Sequence, residues 1–351
     1  MIELMEKRYK IDDKNMNIKI NENDKRDMDD INNDIYIFLI DILLKDRTTK
    51  KNIKWYTNNY QKFGIGYGYN DYISPSSLIK NNIENSIAKP RIYKSKEEQK
   101  LRVKQKAEVF TPSWVCNKQN NIIDKAWFGY DNVFNKEIEK GWITNKEKIK
   151  FINNRTWQEY IENIRLEITC GEAPYLVSRY DTVSGKIIKL DDRIGILDRK
   201  IRIINENVDD ESEWYKWCVK AYQNVYGYDW QGDNIFLARQ NLFISFKDYY
   251  YFKFKKFPDV KLQEEIAEVI SYNIWQMDGL KYVIPNSCHY EHYGQITFDC
   301  YTKKINKKND LLECKGCKNQ NIYTHNGVYC KIKDWKTGRM RKFVNLVDKR
   351  K

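Results

Sequence analysis

The chain has 351 residues, 41% hydrophobic and 32% charged, enough to bury a core as one large domain or two small ones. Lys and Arg number 62 against 49 Asp and Glu, a net +13 that favours a polyanionic partner over an acidic one, although Lys- and Asn-rich drift accounts for part of it. No apolar run reaches membrane length and the start, Met1 to Asn15, is charged throughout, so no membrane partner and no export signal are expected and the chain reads as cytoplasmic. Residues 1–30 alternate charge and Asn and read as a frayed arm. Ile31 to Leu44 carries a broad apolar stripe of helical period, and plain core packing explains it. Arg47 to Asn52 is polar and basic, either a phosphate contact or a helix end and loop. Phe63 to Tyr72, a Gly-Tyr stretch, lacks the strand and helix a phosphate loop needs and reads as an ordered loop.

Lys89 to Lys106 is strongly basic. A charge run is usually a solvated face, but its place before the next motif makes Lys89, Arg91, Lys94, Arg102 and Lys104 candidates for lying along DNA. Residues 122–165 hold helical segments, with an aromatic knot at Trp127 to Tyr130 and Thr156 as an N-cap. Leu166 to Asp181, LEITCGEAPYLVSRYD, reads as strand, tight Gly turn at Cys170-Gly171, then the start of a helix at Tyr175. A purely structural turn reads equally well. Asp191 to Asn205 reads as a helix or as a loop plus helix, and Asp210 to Asn224 as an amphipathic helix with Trp214, Trp217, Cys218 and Tyr222 on one side. Val225 to Tyr228 is a strand ending at Asp229, followed by a helix over Asn234 to Leu242. After a helix at Leu262 to Ile270, a third apolar strand ends at Asp278-Gly279. The alternation from 160 to 285 argues for α/β with a mainly parallel sheet.

A Gly turn, an acid and a second acid, each at a strand end and in this order, resemble class I S-adenosylmethionine-dependent methyltransferases. With Lys106 to Asn121, KAEVFTPSWVCNKQNN, upstream, the chain is similar to the N6-adenine DNA methyltransferases that serve as modification subunits of restriction systems. The resemblance covers roughly residues 100–285. It implies a class I methyltransferase, Rossmann-like fold over 101–285, preceded by a helical region over 1–100 and followed by a small Cys/His-containing segment over 286–351. It further implies that Phe110, Thr111 and Pro112 touch the methionine end of the cofactor S-adenosylmethionine. Cys170 and Gly171 would form the cofactor loop, Asp229 would hold the ribose and Asp278 the cofactor adenine. Double-stranded DNA and a restriction or specificity subunit follow as partners. The chain departs from the family in two places. Its Gly turn has Glu167 before the Cys-Gly pair and Glu172 after it. The family's Asn-Pro-Pro-Tyr motif, which holds the extruded base, is missing, because no two of the six prolines are adjacent. The nearest stand-in is Asn286 in Ile284-Pro285-Asn286-Ser287, which would serve as the catalytic acceptor.

All three histidines and five of the eight cysteines follow residue 285: Cys288, His289, His292, Cys300, Cys314, Cys317, His325 and Cys330. Cys314-Lys315-Gly316-Cys317 has zinc-knuckle spacing. Cys288, Cys314, Cys317 and Cys330 are the expected ligands of a structural zinc, with His325 as the substitute; the other reading is an unmetallated turn. A zinc deaminase is set aside, since Glu313 rather than Pro precedes Cys314. Pro258-Asp259 finds no Glu-x-Lys partner, so no nuclease signature is evident. Three functions are carried forward: an adenine-N6 DNA methyltransferase, a catalytically incomplete cofactor- or DNA-binding subunit, and a zinc-containing nucleic-acid-binding protein. Closing the chain, Lys331 to Lys351 is basic and suited to a phosphate backbone.

Overall fold

The computed structural model describes residues 37–78, 87–106, 108–299 and 304–347. The expected arm over 1–30, the start of the helix expected from Ile31, and Cys300 lie outside the described residues. The chain is mixed α/β. Its centre is a parallel sheet of three strands in the order β3–β4–β5. In chain order the elements are α1 (Lys96–Lys106), α2 (Ser113–Phe128), the hairpin β1 (Asn135–Ile138) and β2 (Gly141–Thr144), α3 (Trp157–Glu162) and β3 (Arg165–Ile168). They continue with α4 (Ile196–Asn207), α5 (Glu211–Gln223), β4 (Val225–Asp229), α6 (Gly232–Phe254), α7 (Val260–Asn273) and β5 (Ile274–Gln276). Two antiparallel hairpins follow, β6 (Glu291–Asp299) with β7 (Lys304–Leu312) and β8 (Lys331–Asp334) with β9 (Arg339–Lys342).

Two helices separate each pair of parallel strands, which is the crossover that parallel pairing requires. Local chemistry sets several ends. Thr156 caps α3 in a full capping box with Glu159. Asp210 accepts the Glu213 N–H at the start of α5. The 23-residue α6 is buried over nearly its whole length, from Gly232 to Tyr250. It buries polar residues as well as apolar ones, among them Asp233, Asn234, Arg239 and Asn241, because it is covered on most sides and those groups find partners inside.

Period-2 alternation gives the sheet two different faces. One packs under the helices in a cluster that includes Val225, Ile274, Phe236 and Ile201. The other presents Tyr226, Tyr228 and Trp275, which cluster with Ile284, Cys330 and Ile332 and take Phe343 against them. The C-terminal segment therefore covers the second face. Its attachment is by backbone: Ile284 N donates to Val328 O at 2.8 Å, Cys330 N to Tyr282 O at 3.0 Å and Phe343 N to Cys330 O at 2.9 Å. Among the described residues β3 pairs with β4 alone, and Leu166 and Ile168 stay 42% and 63% exposed.

Arg239 ties the N-terminal region to the sheet. Burial lowers it to about 9, and its guanidinium donates to the carbonyls of Leu43, Lys45, Ser271 and Ile274. Those of Leu43 and Lys45 belong to the end of the helix over 37–44, where carbonyls lack a helical partner. Among the described residues no helix is long and apolar enough to cross a membrane.

Candidate functional site

A pocket of about 620 Å³ opens at the carboxyl ends of β3 and β4. Such ends are the usual ligand position in open α/β sheets. Its wall includes Phe110, Thr111, Cys170, Gly171 and Asp229, so five of the seven expected cofactor contacts line one cavity.

The turn after β3 is strained. Thr169, Gly171 and Ala173 all have left-handed φ, of +48°, +53° and +62°. Two of the three are not glycine, and strain of this kind concentrates at functional sites. The turn is held open by its neighbours. Cys170 N donates to Tyr228 O at 2.8 Å, and Gly171 N donates to the Asp229 carboxylate at 3.0 Å.

The helix expected to start at Tyr175 does not form; residues 171–195 run as turns until α4 begins at Ile196. The backbone groups that a helix would use are already taken. Glu167 accepts the N–H groups of Tyr175 and Leu176 at 3.3 and 3.2 Å. The carbonyls of Tyr175 and Leu176 accept from Ile196 N and Leu197 N, the orphan donors of α4's first turn. Asn120 on α2 bridges the carbonyls of Tyr175 and Ile194 at 3.0 Å each. The N-terminus that comes near the Gly turn is instead that of α6, whose N-cap Gln231 shares the Asp229 carboxylate with Gly171 N.

Charge in the pocket is lopsided. Glu108, Glu167, Glu172 and Asp229 line it, against one cation, Arg165. Burial raises Asp229 to about 6, against N–H donors from Gln231 and Gly171 that hold it down. Burial raises Glu167 to about 8, with Tyr175 and Leu176 opposing and Asp229 adding to the rise. Glu172 is raised by burial too, while accepting from the Tyr180 hydroxyl and from Arg91 N at 2.7 Å. Gln231 lines the pocket, and its Oε1 is buried and without a hydrogen-bond partner in the structure. A buried acceptor in that state costs on the order of 1–3 kcal/mol unless a ligand donates to it.

The remaining expected site residues fall elsewhere. Pro112 sits at the N-cap of α2, where its carbonyl accepts from Val115 and Cys116; it is not part of the lining. Asp278 is buried beside its own turn, accepting Leu280 N at 3.0 Å and Lys281 N at 3.2 Å, away from the pocket. Asn286 is exposed and donates to the Tyr69 hydroxyl at 3.1 Å, also outside the lining.

The basic run is corrected more sharply. Arg102 is 1% exposed and forms a buried network with Glu108 at 2.7 Å and Asp233 at 2.8 Å. Lys94 joins it at Asp233 with 3.0 Å, and the Tyr60 hydroxyl donates to the same carboxylate at 2.8 Å. The Arg102 and Lys94 charges hold Asp233 well below the usual carboxylate range despite its burial. Arg102 and Lys94 are thus internal counter-ions and not DNA contacts. Arg91 lies with its guanidinium 4.8 Å from the Phe110 ring centroid. Only Lys89 and Lys104 stand exposed. The missed residues, Glu108, Asn234 and Gln231, gave no motif signal; each matters because a distant partner orients it.

The metal group forms with one exchange. Cys288, Cys314, Cys317 and His325 bring their ligand atoms within 4.8 Å of one another and could hold a metal ion such as zinc. Each Sγ lies 3.6 Å from His325 Nδ1. A tetrahedron with Zn–S of about 2.3 Å and Zn–N of about 2.0 Å has an S···N edge of about 3.5 Å. Cys330, the expected fourth ligand, is 0% exposed and faces the sheet, its thiol donating to Gln276 O at 3.5 Å. Gly316 in the knuckle is obligatory: a Cβ there would lie 2.6 Å from His325 N and 2.7 Å from its ring.

Comparison with protein-family models, with curated proteins and with solved structures finds no match to this chain.

Proposed function

We propose that the chain is an S-adenosylmethionine-dependent methyltransferase of the adenine N6 group in double-stranded DNA, the modification arm of a restriction system. The observation that carries the reading is the convergence of Phe110, Thr111, Cys170, Gly171 and Asp229 on one pocket at the strand ends. These residues were singled out from three separated stretches of sequence.

The lining fits the cofactor's chemistry. Its volume lies within the roughly 300–1,000 Å³ of small-molecule sites. Asp229 and Glu167, raised by burial and without a cationic partner at hydrogen-bond distance among the described residues, suit a ligand bearing a sulfonium and an ammonium that would favour their ionised forms. Asp229 would accept from a ribose diol, Phe110 and Thr111 would touch the methionine end, Gln231 Oε1 is a buried acceptor without a partner in the structure, and Tyr175 and Trp230 line the pocket where a purine could stack. When bound, the cofactor supplies an electrophilic methyl group on sulfur. This chain's residues bind and orient it and keep water from it.

A second reading is supported by the missing Pro-Pro motif, by Asn286 lying outside the pocket lining, and by β3 pairing with β4 alone beside the pocket. In it the chain binds cofactor, and a restriction or specificity subunit supplies the residues that hold the amine. Transfer of a labelled methyl group to duplex DNA separates the two. Incorporation by the chain alone, lost in Asp229→Ala, supports the first reading. Incorporation only after a partner is added supports the second. No incorporation in either case contradicts both.

A further inference from the structure

A strongly basic part of the described surface is assembled from two segments far apart in the sequence. The loop over 45–54 and the hairpin of β8 and β9, over 331–342, together hold eleven Lys and Arg against two acids. That is a surplus of nine in a chain whose whole surplus is +13. The two segments touch: Lys331 N donates to the Thr48 hydroxyl at 2.9 Å. Arg47 and Lys333 both lie over the Tyr272 ring, each 4.6 Å from its centroid.

The two acids serve the scaffold. Asp46 is 3% exposed and accepts from Thr48 N at 3.2 Å and Thr49 N at 3.0 Å, which fixes the loop. Asp334 accepts from Lys336 N at 3.1 Å and Thr337 N at 3.3 Å, which fixes the hairpin turn, and pairs with Arg341 at 2.9 Å. Lys50, Lys51, Arg339 and Lys342 remain exposed on this frame. Two acids from neighbouring helices meet this face, Asp41 at 3.3 Å from Lys45 and Glu268 at 3.9 Å from Arg47, and the cations still outnumber the acids.

We infer that this composite face is the chain's nucleic-acid interface and that it holds the phosphate backbone of a DNA duplex. Duplex is favoured over single strand because the rings here are already covered by cations. Tyr272 lies under Arg47 and Lys333, Trp335 under Lys333 at 4.1 Å and Tyr329 under Lys342 at 5.2 Å. Single-strand binders need such rings free for base stacking, whereas backbone contact needs only placed cations. The metal group lies between β5 and β8 in the chain, and its clasp helps present the hairpin.

The inference rests on the DNA reading above for the identity of the polyanion, and its assay omits the cofactor so that the two fail separately. Full-length, metal-loaded protein is titrated into a fluorescent duplex of roughly 30 base pairs, about three helical turns, over a range of salt. The double variants Lys50→Glu with Lys51→Glu, and Arg339→Glu with Lys342→Glu, should each weaken binding about tenfold and flatten the log–log salt slope by about 2, near 0.9 per phosphate contact. The neutral changes Lys50→Gln with Lys51→Gln should give a smaller loss in the same direction. A control at the exposed Lys146 and Lys148, both to Glu, should change little. The inference is overturned if the two double variants combined bind like wild type, if the control loses as much, or if single-stranded DNA of equal length outcompetes the duplex.

Discussion

The metal group and the pocket are both built from side chains of separate segments, yet they close in opposite ways. The metal group draws Cys314, Cys317 and His325 from one short stretch and only Cys288 from further off, and its four ligand atoms already lie within 4.8 Å of one another. The pocket draws on residues from Glu108 to Asn234, retains a buried acceptor without a partner at Gln231 and carries four carboxylates against one cation. The first is a compact ligand set that a single metal ion could join. In the second, Arg102 already pairs Glu108 and burial favours the protonated forms of Glu167 and Asp229, so a cationic ligand would act by drawing those two into their charged forms.

If that contrast is right, removing the ion should have the largest effect. The C-terminal segment lies on the second sheet face through a few backbone bonds and the apolar cluster around Trp275. Without the ion, Cys288, Cys314, Cys317 and His325 no longer hold that segment together. Chelation, or Cys314→Ser, should lower the melting temperature by about 10 °C or more and release about one zinc per chain by metal analysis. Cys330→Ala, in the core under the same segment, should cost about 1–2 kcal/mol and leave the zinc content unchanged. Loss of zinc in Cys330→Ala would break the assignment of His325 as the fourth ligand.

Next in size is the network behind the pocket. Arg102→Met leaves Asp233 and Glu108 buried without their shared partner, which costs on the order of 3–5 kcal/mol in denaturant unfolding. Lys104→Met, two residues on and exposed, should change stability by less than about 0.5 kcal/mol. Equal effects at the two positions would show that the buried network does not form. The smallest effect is a pH dependence. In the free protein the raised Asp229 works against stability as pH rises. The unfolded chain loses that proton near pH 4, the folded one near 6, so its stabilising share is lost across that window. Affinity for a cation runs the other way, strengthening as Asp229 ionises through about pH 6 and further as Glu167 ionises through about 8.

The elements were legible where period and caps agree. The Thr156 cap, the amphipathic helix at 211–223 and the strand ending at Asp229 stand where alternation and capping chemistry put them. The Gly turn was legible as a turn, but the helix behind it was not excluded by local sequence. Glu167, Asn120 and α4 claim its backbone groups from outside, and no window around Tyr175 contains them. Arg102 failed as a DNA contact for the same reason. A basic residue in a basic run looks solvated until a carboxylate from α6 is folded against it. Cys330 and His325 both fit the spacing of a fourth ligand, and the packing of Cys330 against Tyr226, Tyr228 and Trp275 on the sheet, which no spacing shows, separates them. The basic face was half visible, because each segment was noted as basic while their meeting at Thr48 and Lys331 depends on the fold.

Calorimetric titration of S-adenosylmethionine into the metal-loaded chain tests the central claim most directly, with Asp229→Ala beside it and both repeated below and above pH 6. One site per chain with a micromolar dissociation constant, weakened at least about tenfold (some 1.4 kcal/mol) in the variant and tightening as pH rises through about 6, is the predicted result. No heat of binding from wild-type protein that melts cooperatively and carries its zinc would contradict the assignment of the pocket.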